Sequence, residues 1–155
     1  MYASVLRVLG PWRGLLHRRA VMLEVMRVLA GFESSWRWGE GVDVTNPRSN
    51  TATTAEAGAW QVSADSMAHG QDLRDLVLRR AGAVDGITFQ RAMKQDHQLA
   101  MEFIARQLRH TVRHNGPVRD GLIHPHLKRD AVQEFQALMM GDFPNQPAVS
   151  LGSFA

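Results

Sequence analysis

The 155-residue chain contains no cysteine, so neither a disulfide framework nor a thiolate metal site can be built from it. It has no run of about 18 apolar residues, so no transmembrane span is expected. Met1 to Leu16 is biased toward apolar residues, but Arg7, Pro11 and Arg13 interrupt it and no clean cleavage site follows, so a Sec signal is not expected either. Acidic residues are the scarcer sign: 15 Asp and Glu face 18 Lys and Arg, giving a net charge of +3 and a pI near 10.2. That moderate bias, carried mainly by arginine, suits an anionic polymer as partner. The Arg-rich stretches Arg13 to Arg19 and Leu78 to Arg80 read as solvated helix edges rather than a continuous phosphate track, so nucleic acid is not the expected partner.

What is present is ordinary globular composition, 45% apolar and 21% charged, in a length that fits one domain with a genuine core. Residues 1–141 read as that domain. Gly141 is placed to cap a last helix, and 142–155, with Pro144 and Pro147 and no period, reads as a flexible C-terminal tail. The pattern is mainly α, with one small β excursion. Met22, Val25, Met26, Leu29 and Phe32 recur at three- and four-residue spacing, and Val21, Leu23 and Val28 widen the stripe into a helix wrapped on most sides. Gln71 to Arg80 places Leu73, Leu76 and Val77 on one side, with Gly82 as a stop. Thr88 reads as the cap of a longer run through Leu108, with Phe89, Met93, Leu99, Phe103 and Ile104 buried and a Glu102–Arg106 pair outside. Asp130 is the expected cap of the final helix, Ala131 to Met140, with Val132, Phe135, Leu138 and Met139 apolar.

Glu33 closes the first of these helices in Phe32-Glu33-Ser34-Ser35-Trp36, and a Gly-, Asp- and Asn-rich connection follows. A carboxyl group leaving an apolar base, with Trp36, Trp38 and Trp60 available as neighbours, is expected to have a raised pKa and to keep its proton near neutrality. A positioned donor of this kind contributes roughly 10²–10⁴ in rate. Glycoside cleavage usually needs a second carboxylate, and Glu40, Asp43 and Glu56 follow. The two glycines and the Val-Asp-Val-Thr alternation in Gly39 to Asn46 suggest a short hairpin that folds back over the helix end.

These residues together resemble a family. Glu33-Ser34-Ser35, Glu40-Gly41-x-Asp43, Asn46 and Thr54-Ala55-Glu56-Ala57-Gly58-Ala59-Trp60-Gln61-Val62-Ser63 are similar to the catalytic region of the lysozyme-like superfamily. The nearest pattern is that of bacterial peptidoglycan-cleaving domains, some of them type VI secretion effectors. Goose-type lysozymes and lytic transglycosylases share a looser version. The match spans about 35 residues. It departs from the family where Trp36 stands for a common Gly and Trp38 for a common Cys.

The resemblance implies a two-lobed helical domain with a small β-hairpin beside a cleft. It implies Glu33 as general acid, Asp43 as the leading second carboxylate and Glu56 as a third candidate. Ser34, Asn46, Gly58, Trp60, Gln61 and Ser63 would contact the sugar, while Trp38 would stack on a ring or fill the core. The turn-forming loop Arg113 to Pro117 could border the cleft from the far lobe through His114.

The implied activity is that of a muramidase, cleaving peptidoglycan between N-acetylmuramic acid and N-acetylglucosamine. Lytic transglycosylase or chitinase-like action, or a non-enzymatic basic helical binding module, are the alternatives. No cofactor or metal is expected: His110 and His114, and His124 and His126, have no acidic or cysteine ligand at a matching spacing. A cognate immunity or inhibitor protein is a further implied partner. Without a Sec signal, action on the cell wall would follow cytoplasmic synthesis and then export by another route, or lysis.

Overall fold

A computed structural model describes residues 2–41, 51–110 and 116–141. The architecture is mainly α. Among the described residues the helices are α1 (Tyr2–Leu9), α2 (Leu15–Ser34), α3 (Gln71–Ala81), α4 (Gly86–Gln95), α5 (His97–His110), α6 (Gly116–Arg119) and α7 (Arg129–Met140), with 3₁₀ turns at Ala64–His69 and His124–His126. No helix among the described residues is long and apolar enough to cross a membrane.

The central element is α2. It buries Ala20, Val21, Val25, Met26, Val28, Leu29 and Ala30, so its apolar surface runs round the axis, and α7, α5 and α6 pack against it. The apolar stripe nevertheless ends one turn earlier than its spacing suggests. In the last turn Ala30 and Ser34 take the inward positions, and Phe32 is rotated outward, 45% exposed, with its ring edge-on to His126 at 5.4 Å.

The helix stops in a left-handed cap. Ser35 and Trp36 have φ of 53° and 62°, Ser35 N–H donates to Gly31 O at 3.2 Å, and Trp36 N–H reaches back to Ala30 O at 3.1 Å. These backward bonds satisfy carbonyls that a helix end otherwise leaves open.

A buried acid also lies on α2. Glu24 is fully buried and takes a two-pronged bond from Arg27, Nε to Oε2 at 2.7 Å and Nη2 to Oε1 at 2.9 Å. Lys128 N–H, at the N-cap of α7, also donates to Glu24 Oε1 at 2.8 Å. The carboxylate thus fastens α7 to α2 and satisfies one of the amides orphaned at the start of α7.

Helix α3 and its left-handed Gly82 cap follow the sequence expectation. The expected single run from Thr88 to Leu108 is two helices. Asp85, not Thr88, is the N-cap of α4, its side chain accepting from Thr88 N–H, and Asp96 interrupts the run by accepting from Leu99 N–H at 2.9 Å. A short acceptor competing for amide hydrogens is what breaks helices at such positions. The pair Phe89 and Phe103, edge-to-face at 5.1 Å, joins α4 to α5 in the core. Glu102 and Arg106 pair as expected, and Arg106 also approaches Asp72 at 3.7 Å.

In α7 the N-cap is Lys128, while Asp130 lies inside the first turn and accepts from Ala131 N–H at 2.9 Å. Leu138 and Met139 are exposed rather than packed, so Val132 and half-buried Phe135 carry the contact. Helix α1, unforeseen from sequence, buries Val5 and Leu9.

Most of the hairpin expected at Gly39 to Asn46 lies outside the described residues, as does the tail 142–155, and Gly39 to Gly41 carry no strand. Among the described residues, strand-type pairing is confined to Ala57 and Val62.

Glu24→Ala should lower stability by about 3 kcal/mol in a denaturant titration, because it strips a half-buried guanidinium and an amide of their shared acceptor. The double replacement Glu24→Leu with Arg27→Leu should recover most of that loss, since an apolar pair replaces a desolvated ionic one. A single variant as stable as the parent would show that Glu24 is not the fastening.

Candidate active site

Glu33 occupies the last turn of α2 rather than the loop beyond it. Its surroundings come from the loop Ala57 to Val62, which the backbone closes on itself: Ala57 N–H donates to Val62 O at 2.9 Å and Val62 N–H to Ala57 O at 3.2 Å. Gly58 is required here, because its φ is +75° and an added Cβ would stand 2.8 Å from Met93 O. Gln61, at φ 46°, turns its amide back so that Nε2 donates to Gly58 O at 2.8 Å.

Two side-chain bonds seat this loop on the acid's helix. Trp60 Nε1 donates to Met26 O at 2.8 Å, and Ser34 Oγ donates to Ala59 O at 2.8 Å while accepting from Arg37 N–H at 3.0 Å. Trp60 is buried, so both bonds are shielded from water.

The result is a cleft of about 330 Å³ lined by Glu33, Glu56, Trp60, Gln61, Val62, Ser63, Asp65, Ser66, His69 and Gln107. Five of the residues singled out from sequence therefore meet here: Glu33, Glu56, Trp60, Gln61 and Ser63. The Glu33 carboxyl is pushed up to about 7, first by burial and then by the charge of Glu56. Both causes act in one direction, since desolvation and a like charge each disfavour the ionised form.

The other sequence candidates lie elsewhere. Ser34 is buried, and its hydroxyl is committed to Ala59 and Arg37, which makes it a fastening rather than a sugar contact. Gly58 stands behind the wall, its N–H donating to Glu40 O at 2.9 Å. Glu40 is paired with Arg37 at 2.5 Å and does not line the cleft. Trp38 stacks on His97 at 3.9 Å between ring centres and meets Trp60 edge-on at 5.3 Å, so it backs the wall instead of facing the cleft. The aromatic neighbours expected round Glu33 reduce to Trp60, because Trp36 and Phe32 open onto another face. Asp43, Asn46 and His114 lie outside the described residues.

Sequence reasoning missed Asp65, His69 and Gln107. Asp65 accepts from Ser63 Oγ at 2.5 Å and is a further carboxylate at the cleft. Gln107 had a legible signal: it is a buried amide within the apolar stripe of Phe103, Ile104 and Leu108 on α5. Chemically, the cleft sets a carboxyl group that keeps its proton near neutrality beside two more acids and amide or hydroxyl donors. That combination has the chemical means to protonate a leaving oxygen.

No protein-family model matches this chain, and no curated protein or solved structure does.

The raised pKa has a consequence for stability. A carboxyl group that binds its proton more tightly in the folded state stabilises the fold while protonated, and that contribution is lost as pH rises from the unfolded value of 4.5 through about 7. Glu33→Gln, which keeps the shape without the charge, should raise the melting temperature more at a pH of about 8 than at about 5, the gain being of order 1 kcal/mol because water still reaches the group. Equal gains at both pH values would mean that Glu33 ionises normally.

Proposed function

We propose that the protein is a peptidoglycan glycan-strand hydrolase of lysozyme-like type, cleaving between N-acetylmuramic acid and N-acetylglucosamine, with Glu33 as general acid. The observation that supports this best is the pair of carboxyl groups, Glu33 and Glu56, in one cleft, with the Glu33 proton held to about pH 7. A two-lobed arrangement with the cleft between lobes is part of the same reading. So is action on the cell wall.

In this mechanism Glu33 gives its proton to the glycosidic oxygen as the bond to the anomeric carbon breaks. A negatively charged neighbour then stabilises the oxocarbenium-like centre or activates the water that attacks it. The presence of Glu56 in the cleft supports it for that second role, and its charge helps to keep the proton on Glu33. Asp43 remains the competing second carboxylate on the strength of the sequence resemblance. Trp60 and Gln61 supply the wall against which a sugar lies. The positive net charge suits a polymer rich in carboxylates.

Purified protein should release soluble fragments from sacculi, and Glu33→Gln should cut the rate by at least about 10²-fold. Fragments ending in a reducing sugar identify the hydrolase, and an anhydro end identifies a transglycosylase. Equal release by parent and Glu33→Gln, or none by either, sinks the reading. Chelator should leave the rate unchanged.

The pH profile should be bell-shaped. Activity should fall as pH rises through about 7, where Glu33 loses its proton, and fall again on the acid side, where the second carboxylate gains one. Glu56→Gln should lower the rate at least about tenfold and move the alkaline limb to lower pH, because the repulsion that holds the proton on Glu33 is gone. If Asp43→Asn removes the acid limb while Glu56→Gln leaves it in place, the second role passes to Asp43.

A further inference from the structure

A larger groove, of about 580 Å³, lies on the outer face of α2 and is separate from the Glu33 cleft in every lining residue. Arg27, Gly31, Phe32, Trp36, His126 and Lys128 line it. Its floor is built with unusual care for a surface. Trp36 has φ 62°, a conformation that costs a bulky residue about 1–2 kcal/mol. The indole nonetheless lies flat on the helix: Nε1 donates to Arg27 O at 2.7 Å, and Gly31 leaves the space it occupies, since a Cβ there would stand 2.7 Å from the ring. So held, Trp36 is 55% exposed. Strain, a glycine recess and a hydrogen bond therefore fix an aromatic surface toward solvent, where burial alone would have hidden it.

Phe32, edge-on to His126, forms the adjoining wall. Arg27 is held at its rim. Fully buried Glu24 grips Nε and Nη2, Nη2 also reaches His126 O at 3.4 Å, and Nη1 makes no hydrogen bond among the described residues. Asp130 adds its charge near Arg27, while the exposed Lys128 side chain, which makes no ion pair among the described residues, adds a positive charge at the groove.

The geometry points to a second glycan-binding site, in which Trp36 stacks on an amino-sugar ring, Arg27 Nη1 donates to an acetamido or carboxylate oxygen, and Lys128 pairs with a carboxylate on the same strand. An amino-sugar polymer bearing carboxylates has all three features in one repeat: an apolar ring face, an amide oxygen and an acid. The choice of polymer rests on the hydrolase reading, and the groove would hold a strand to the enzyme from outside the cleft.

The test uses full-length protein carrying Glu33→Gln, so that the strand is not cut, and measures co-sedimentation with sacculi. Trp36→Gly relieves the backbone strain and removes the ring, and it should weaken binding about tenfold. Gly31→Ala favours the helix but evicts the indole, so it should weaken binding comparably without loss of melting temperature; reduced folding cannot explain that result. Lys128→Glu should weaken binding to sacculi and abolish most of its salt dependence. Uncharged N-acetylglucosamine oligomers, titrated by calorimetry, should bind more weakly and be insensitive to Lys128→Glu.

Unchanged co-sedimentation of Trp36→Gly and Gly31→Ala overturns the proposal. So does capture of an acidic protein by the groove with glycan binding intact. The two readings fail separately: a protein that cleaves sacculi with an idle groove keeps only the hydrolase, and one that binds through Trp36 without cleaving keeps only the groove.

Discussion

One hydroxyl group joins the acid's helix to the wall it faces. Ser34 Oγ donates to Ala59 O at 2.8 Å and accepts from Arg37 N–H at 3.0 Å, so the end of α2, the turn that follows and the Ala57–Val62 loop are fastened at a single buried atom. A short loop closed by one strand-type pair has little stability of its own. It acquires a fixed place because Ser34 and the Trp60 indole, bonded to Met26 O, hold it to the helix that carries much of the core. The neighbouring residue is Glu33. Its depth in the cleft, and hence its hold on a proton, follows from where that loop is seated.

Two acids on α2 have opposite surroundings. Glu24 meets a guanidinium fork and an amide, and its hydrogen bond lifts Arg27 above the ordinary value for a guanidinium. Glu33, nine positions later in the sequence, meets Glu56 instead. A buried charge with a complete set of partners is a structural joint. A half-buried carboxyl facing another carboxylate keeps its proton and stays available for transfer. Helical periodicity explains why one segment carries both: Glu24 faces the start of α7, whereas Glu33, on the last turn, faces the loop.

The mainly helical class, the extent of α3 and the broad apolar surface of α2 were legible because apolar spacing states them directly. Glu33, Glu56, Trp60, Gln61 and Ser63 were singled out together, and the fold brings them to one cleft. The break at Asp96 was less legible, since an aspartate within a helical pattern has the choice of facing water or capping the next helix. Glu24 was hidden because a polar residue in an apolar run looks like an exposed face until α7 is seen to cover it. Ser34 and Trp38 were read as sugar contacts because residue type does not reveal direction; one turns inward to Ala59 and the other lies against His97. Asp65 and His69 belong to a 3₁₀ turn whose approach to α2 depends on long-range packing that no local pattern encodes.

Backbone strain is concentrated around the same site. Among the described residues, the non-glycine positions with positive φ are Ser35, Trp36 and Gln61. They fall in two turns, one directly after Glu33 and one in the loop that lines its cleft, and each costs on the order of 1 kcal/mol. Local bonds offset that cost: Arg37 N–H to Ser34 Oγ, the Trp36 indole to Arg27 O, and the Gln61 amide to Gly58 O. A relaxed first turn would extend α2 and lose the first two of these bonds together. The inner side of that turn places Glu33 and the outer side displays Trp36, so one short cap sets the geometry of both the cleft and the groove. The two surfaces share no lining residue and no anchoring bond: the Trp36 indole is held to Arg27 O, whereas Ser34 is held to the cleft wall through Ala59 O.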